Sequence, residues 1–407
     1  MKNTKLFRLL AVLLAITLVA AACGSDAADD NADGGDDAGQ TDSSGDDSSG
    51  DDSAGDDSSG DDGGTDTVTV TQGSVLAAVL DRGEVNCGIP TSAVGFAEQD
   101  ANGVWAGFDV DYCHAVAAAV FGDRDAVNFV PLTAAERFTA VQTGEVDLLM
   151  RTTTWTQGRD ASGDQAMDFG PTTFYDGQQL VGRRSQGFSE SSTLADVDGT
   201  NVCTNAGTTT EKNISDGVAA VGGSFTLVAA EDIPTAVEAF VAGQCDIFTS
   251  DGSAVAGEAA VNEDNADGDW VVFPATPISK EPLGPVYPQN DSEWGDIINW
   301  VVFATIIADE KGIDSSNAAD RLADEQAKAA DGGEGLDAEA LRLLGGEGEL
   351  QSALNLPADA FLQVITQVGN YDEIYTSNVT ERIGLVREGS ANAGWLDGGL
   401  IYAPPAR

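Results

Sequence analysis

RTTTWTQGRD (151–160) places three consecutive hydroxyls between two guanidiniums, Arg151 and Arg159, with Trp155 among them. The run is too polar for a core strand and holds no acid–base pair for catalysis. Its chemistry is that of holding. A guanidinium presents a planar fork that gives a carboxylate two charge-assisted hydrogen bonds. Threonine hydroxyls such as Thr152 and Thr154 donate or accept, so they serve either end of a zwitterion. A second hydroxyl cluster, GTTTE (207–211), follows a predicted strand and opens a predicted helix. Free N–H groups and the positive dipole end at such a site suit an anion, and an ordinary N-cap is the plain alternative. Asp251, in FTSDGSAVAG (248–257), stands where position alone favours a helix N-cap over a ligand contact. For Arg159 the plain alternative is a surface ion pair with Asp160 or Asp164. Arg151 is open between ligand contact and pairing with a nearby acid.

The elements that would position these residues alternate. A helix is expected over 75–83, a strand over 84–90, a helix over 109–122, and a strand over 127–132. A helix over 135–144 and a strand over 146–151 follow. The pattern restarts with strands over 179–184 and 200–205, then helix, strand, helix and strand to residue 250. Strand–helix–strand alternation implies right-handed crossovers and a mainly parallel sheet flanked by helices. Two α/β lobes are expected. A local repeat links them: helix AERFTAVQTG leads into GEVD (144–147), and helix PTAVEAFVAG leads into GQCD (243–246). Five residues past each aspartate stand Thr152 and Asp251. In open α/β sheets the carboxyl ends of strands face the ligand crevice. A hydroxyl of one lobe would then face a carboxylate of the other across a cleft. Beyond residue 283 the pattern is helical, and VFATIIA within 291–312 is too short and too charge-flanked to span a bilayer.

Composition bounds the partners. The formal charge is −49, with 42% apolar residues. A surface this acidic lacks the basic footprint that nucleic acid or anionic lipid needs, so neither is expected as a direct partner. Lys2, Lys5 and Arg8, the apolar run LLAVLLAITLVA (9–20) and the small residues before Cys23 form an export leader. Its end resembles a bacterial lipobox, with Ala20 where Leu is more usual. That resemblance implies lipidation of Cys23 and a membrane anchor. Residues 24–66 carry sixteen Asp and no Lys or Arg, with a five-residue period over 42–62. Such a segment cannot bury apolar area and is expected to be a disordered, self-repelling tether. The four remaining cysteines suit two disulfides in an oxidising compartment. Sequence alone allows three pairings, and the two-lobe division favours Cys87–Cys113 and Cys203–Cys245, each inside one lobe. No C-x-x-C spacing occurs and His114 is the only histidine, so no metal site or cofactor is expected.

GFDVDYCHAVAAAV (107–120) resembles the signature of solute-binding proteins of polar amino-acid ABC importers, family 3, with Tyr112 where an aliphatic residue or Phe is usual. FVPLTAAERFTAVQTGEVDLL, RTTTWTQGRD, GTTTE, ISKEPLGP, TQVGNY (366–371) and the closing GGLIYAPPAR are similar to the general L-amino-acid receptors of that family. The resemblance covers about residues 75–407. It implies a two-lobed, type II periplasmic-binding-protein-like fold with added C-terminal helices. The divisions it suggests are leader 1–23, linker 24–66, lobe 1 from 67–179 and 283–407, and lobe 2 from 180–282. It implies capture of an L-amino acid and delivery to an ABC permease by a monomer outside the cytoplasm, without catalysis. By the same resemblance Arg159 and Thr209 take the ligand carboxylate, Thr152 and Thr154 mainly the ammonium, and Asp251 the ammonium. Phe96 and Trp155 are candidate walls for the ligand's aliphatic part. The alternatives are an enzyme on the same fold, such as a dehydratase of prephenate-like substrates, and a ligand-sensing module.

Overall fold

The computed structural model describes residues 71–161, 166–265 and 267–407. The expected leader with Cys23 and the acidic segment 24–66 lie outside the described residues, as does Asp164.

Two five-stranded sheets organise the chain, one in each lobe. The first has the order Val127–Leu132, Val85–Pro90, Leu148–Leu149, Val286–Tyr287, Asp168–Phe169. The second has the order Thr226–Ala230, Asn201–Asn205, Ile247–Asp251, Gln178–Arg183, Trp270–Phe273. In each sheet the first three strands run parallel, as helix crossovers require. The fourth does not. Val286–Tyr287 lies antiparallel to Leu148–Leu149, and Gln178–Arg183 antiparallel to Ile247–Asp251. These are the segments by which the chain enters a lobe from its neighbour. They arrive at the cleft end of the sheet and run away from it, opposite to strands that end there. The sheets are therefore mixed. The crossings themselves pair as a short ladder, Phe174–Asp176 with Glu281–Leu283.

The internal repeat is structural. Asp147 donates its N–H to the Asn86 carbonyl and its carboxylate accepts the Asn86 N–H. Asp246 repeats both bonds with Asn201. Each aspartate thus locks a central strand to its neighbour at the same register, and Thr152 and Asp251 follow at the cleft edge. Two disulfides, Cys87–Cys113 and Cys203–Cys245, span 6.0 and 5.7 Å between Cα atoms, one inside each lobe.

Helix Phe108–Phe121 has lost its amphipathic character because it is sandwiched: twelve of its fourteen residues are buried. One side meets strand Val85–Pro90; the others meet Ser292–Glu310 and Ala360–Gln367. Tyr112 sits in this core with its hydroxyl 3.3 Å from that of Thr305. His114 is buried here as well, its Nδ1 bonded to the Arg124 carbonyl at 2.6 Å. The C-terminal helices complete the core of the first lobe through Trp294, Ile297, Val301, Phe361, Val364 and Tyr371. Among the described residues no helix is long and apolar enough to cross a membrane.

Candidate functional site

Between the lobes lies a cavity lined from the first lobe by Arg137, Arg151, Thr152, Thr154 and Arg159. From the second lobe come Asn205, Thr208, Thr209, Thr210, Ile233, Ser250 and Asp251. Six residues singled out from sequence meet here: Arg151, Thr152, Thr154, Arg159, Thr209 and Asp251. The lobes touch across it. Thr154 Oγ1 lies 3.3 Å from Thr209 Oγ1, and Thr91 Oγ1 lies 3.5 Å from Asp232 Oδ2.

Thr152 ends the central strand of the first lobe in an unusual conformation, with φ at +39°. A β-branched residue held at positive φ costs about 1–3 kcal/mol and persists only where its surroundings enforce it. The enforcing contact is Asp109, which accepts the Thr152 N–H at 2.8 Å. Asp109 belongs to the GFDVD motif. Its carboxyl is buried, and burial pushes its pKa up to about 7, opposed by the Thr152 bond and by Arg151. Gly107 sets the start of that helix: a Cβ there would stand 2.2 Å from the Phe96 carbonyl oxygen.

Arg159 is carried on helix Gln157–Ala161 and folds back, donating from Nη1 to the Thr154 carbonyl at 2.8 Å. Arg151 is buried, with Nε on the Leu132 carbonyl at 2.9 Å. Among the described residues Arg137, Arg151 and Arg159 all lack an ion pair. Burial lowers the pKa of each; for Arg151 it falls to about 10, with Asp109 acting against the fall.

In the second lobe, Thr208 is the N-cap of helix Thr209–Ala220, accepting the Glu211 N–H. The Glu211 side chain in turn accepts the Gly207 N–H at 2.8 Å. Capping therefore falls to Thr208, and Thr209 is released to face the cavity. Asp251 shows the same division. It precedes helix Gly252–Val261 yet makes no side-chain cap bond. Asp176, on the crossing strand, takes the Ser253 N–H instead, at 3.2 Å. The Asp251 carboxylate is thus freed from its own helix, and its buried Oδ1 has no hydrogen-bond partner among the described residues. Burial raises its pKa well above the usual carboxylate value, with Asp176 and Glu281 adding to the rise.

Two expected residues lie elsewhere. Phe96 does not line the cavity; its ring is fully buried among Phe108 and Phe174, 5.7 and 5.1 Å away. It is a core aromatic that fixes the loop before Gly107. Trp155 is 42% exposed and stacks on Phe169 rather than facing the cavity.

Two residues that sequence reasoning passed over belong to the site. Arg137 lines it directly. Glu281 lies in the second crossing strand, 1% exposed, within the ISKEPLGP motif. Its Oε2 accepts from Thr154 at 2.6 Å and Thr209 at 2.8 Å, and its Oε1 from Asn213 at 2.7 Å and Ser279 at 2.6 Å. One carboxylate in the hinge therefore ties hydroxyls of both lobes. The arrangement places a buried carboxylate with an unpartnered oxygen opposite guanidiniums that lack an ion pair among the described residues.

Known proteins share this framework. The chain is 41% identical over 341 residues to the glutamate/glutamine/aspartate/asparagine-binding protein BztA of Rhodobacter capsulatus, covering 82% of this chain and 95% of the relative. It is 39% identical over 341 residues to the general L-amino acid-binding periplasmic protein AapJ of Rhizobium johnstonii, covering 83% and 94%. A solved ABC transporter periplasmic binding protein from Brucella ovis, with glutathione bound, superposes with a TM-score of 0.74 at 38% identity, covering 83% of this chain and all of that one. The sequence model of the bacterial extracellular solute-binding proteins, family 3, matches residues 85–381, and the chain belongs to that family.

Proposed function

We propose that this protein captures L-amino acids outside the cytoplasm and hands them unchanged to the permease of an ABC importer. One observation carries it: the unpartnered Asp251 carboxylate of one lobe shares a closed cleft with the unpaired Arg159 guanidinium of the other. That is the charge pattern of a zwitterion in negative. Arg159 and Thr209 take the α-carboxylate; Asp251, Thr152 and Thr154 take the ammonium. Glu281 holds Thr154 and Thr209 in place from the hinge. The names of the relatives at about 40% identity support the ligand class, and that of the Brucella ovis structure supports the transporter. The lobe divisions at 179 and 282, the lipid anchor at Cys23 and a monomeric state complete the proposal. Closure of the lobes excludes water, which strengthens every charge pair in the cleft and needs no reaction.

The glutathione of the Brucella ovis structure favours a second ligand class, amino-acid-like peptides. Isothermal titration of the purified protein with the common L-amino acids and glutathione tests both. Micromolar or tighter binding of an amino acid, with the ligand recovered chemically intact, is expected. A chemically altered ligand, or an enzyme-like turnover of any panel member, overturns the proposal.

A further inference from the structure

Arg137 has no role in the zwitterion clamp just described, yet it is 2% exposed and lines the same cavity. Its guanidinium rests 4.7 Å over the Phe138 ring, and its Nε is buried with no hydrogen-bond partner. Its one side-chain bond among the described residues is a long one, from Nη2 to the Gly207 carbonyl at 3.5 Å across the cleft. Arg151 lines the cavity beside it with, among the described residues, only Nε engaged, on Leu132.

A buried guanidinium with open donors is unfavourable unless an anion meets it. The nearby acids are spoken for. Asp109 is bonded to Thr152, Asp176 to Gly177 and Ser253, and Glu281 to four donors. Among the described residues lining the cavity, Asp251 is the carboxylate with a buried, unpartnered oxygen, and a ligand ammonium requires it. One α-carboxylate engages one fork, that of Arg159. The remaining charge on this wall calls for a second anion, and it must arrive with the ligand.

Resting on the amino-acid reading above, we propose that Arg137, with Arg151 behind it, forms a second anion subsite. It makes the cleft selective for amino acids whose side chain carries a carboxylate. Arg137 is then the specificity-determining residue, distinct from the fork that holds the α-carboxylate.

Glutamate and glutamine isolate the effect, because they share a shape and differ in one charge. Calorimetric titration of the full folded protein is expected to show glutamate bound at least about 10-fold more tightly than glutamine. Arg137→Met keeps the aliphatic stem over Phe138. It is expected to weaken glutamate by roughly 30-fold or more and glutamine by less than about 3-fold. Arg137→Lys, which retains charge but not the fork, is expected to fall between them and guards against misfolding of the first variant. Equal binding of the two ligands by the unaltered protein, or equal weakening of both by Arg137→Met, overturns the subsite and leaves the amino-acid reading standing. Binding of neutral amino acids with rejection of glutamate does the same. Failure to bind any amino acid removes both.

Discussion

Capping is delegated at this site, residue by residue. Thr208 caps one helix so that Thr209 need not, and Asp176 serves the other so that Asp251 need not. The position of Asp251 just before a helix made a cap the plainer expectation, and only the identity of the true donor's partner separates the two. From this follows a split outcome for Asp251→Asn. The change removes a charge that burial already disfavours, so the empty protein's melting temperature at pH 7.5 is expected to hold or rise. Amino-acid affinity is expected to drop by roughly 30-fold or more, because the ligand ammonium is left without its counter-charge. Calorimetry and a thermal melt on the same sample check both halves; a lower melting temperature with unchanged affinity refutes the assignment. Arg137 was harder to see. Counting back seven residues from the repeat glycines aligns it with Ala236, which is fully buried. An arginine at a core position of a repeated helix was the available signal. For Glu281 the only signal was its place in the ISKEPLGP motif, since its role depends on a crossing that brings residues about 70 and 130 positions apart together.

At the scale of elements, alternation and crossover logic recover the parallel strands of both sheets and the helices that join them, with ends moved by a few residues, but miss the short helix Gln157–Ala161 that carries Arg159 and the crossing strand Phe174–Asp176. What they do not recover is the direction of the crossing strands. Gln178–Arg183 and Val286–Tyr287 carry the same apolar pattern whichever way they run, and a loop from another lobe imposes no crossover handedness. The disulfides belong to this scale. Cys203–Cys245 closes 42 residues inside the second lobe, and Cys87–Cys113 closes 26 inside the first. Chain-entropy reasoning assigns loops of these lengths about 3.5–4 kcal/mol each. Neither joins the lobes. The double variant Cys203→Ala, Cys245→Ala is therefore expected to lower unfolding free energy by about 2–4 kcal/mol in denaturant melts, while ligand affinity at 25 °C stays within about 3-fold. A large loss of affinity with little loss of stability would mean that the bridge acts on closure instead.

The whole molecule concentrates acids whose charged form the fold disfavours. Burial pushes Asp109 up to about 7, Asp176 to about 6 and Glu258 to about 7, the last with Glu98 as a like-charged neighbour. Burial raises Asp111, Asp147 and Asp251 as well. A carboxyl with a raised folded-state pKa binds protons better when folded. Its stabilisation is present below the unfolded value near 4 and is lost as pH climbs through the folded value. His114 opposes the trend, since burial lowers its pKa and folding then gains as pH rises toward the unfolded value near 6.5, but it is the only histidine. Acids with lowered pKa values, such as Glu98 and Glu190, are ionised in both states above pH 5 and add no slope. The formal charge of −49 works in the same direction as the buried acids, because each proton lost adds to self-repulsion. The empty protein is therefore expected to melt at a lower temperature at pH 7.5 than at pH 5, measured at constant ionic strength. Asp109→Asn keeps an acceptor for the Thr152 N–H and removes the titration, so it should flatten that slope. A melting temperature that rises from pH 5 to 7.5, or a slope untouched by Asp109→Asn, would show that these carboxyls are solvated in the empty state and that the lobes stand open until a ligand closes them.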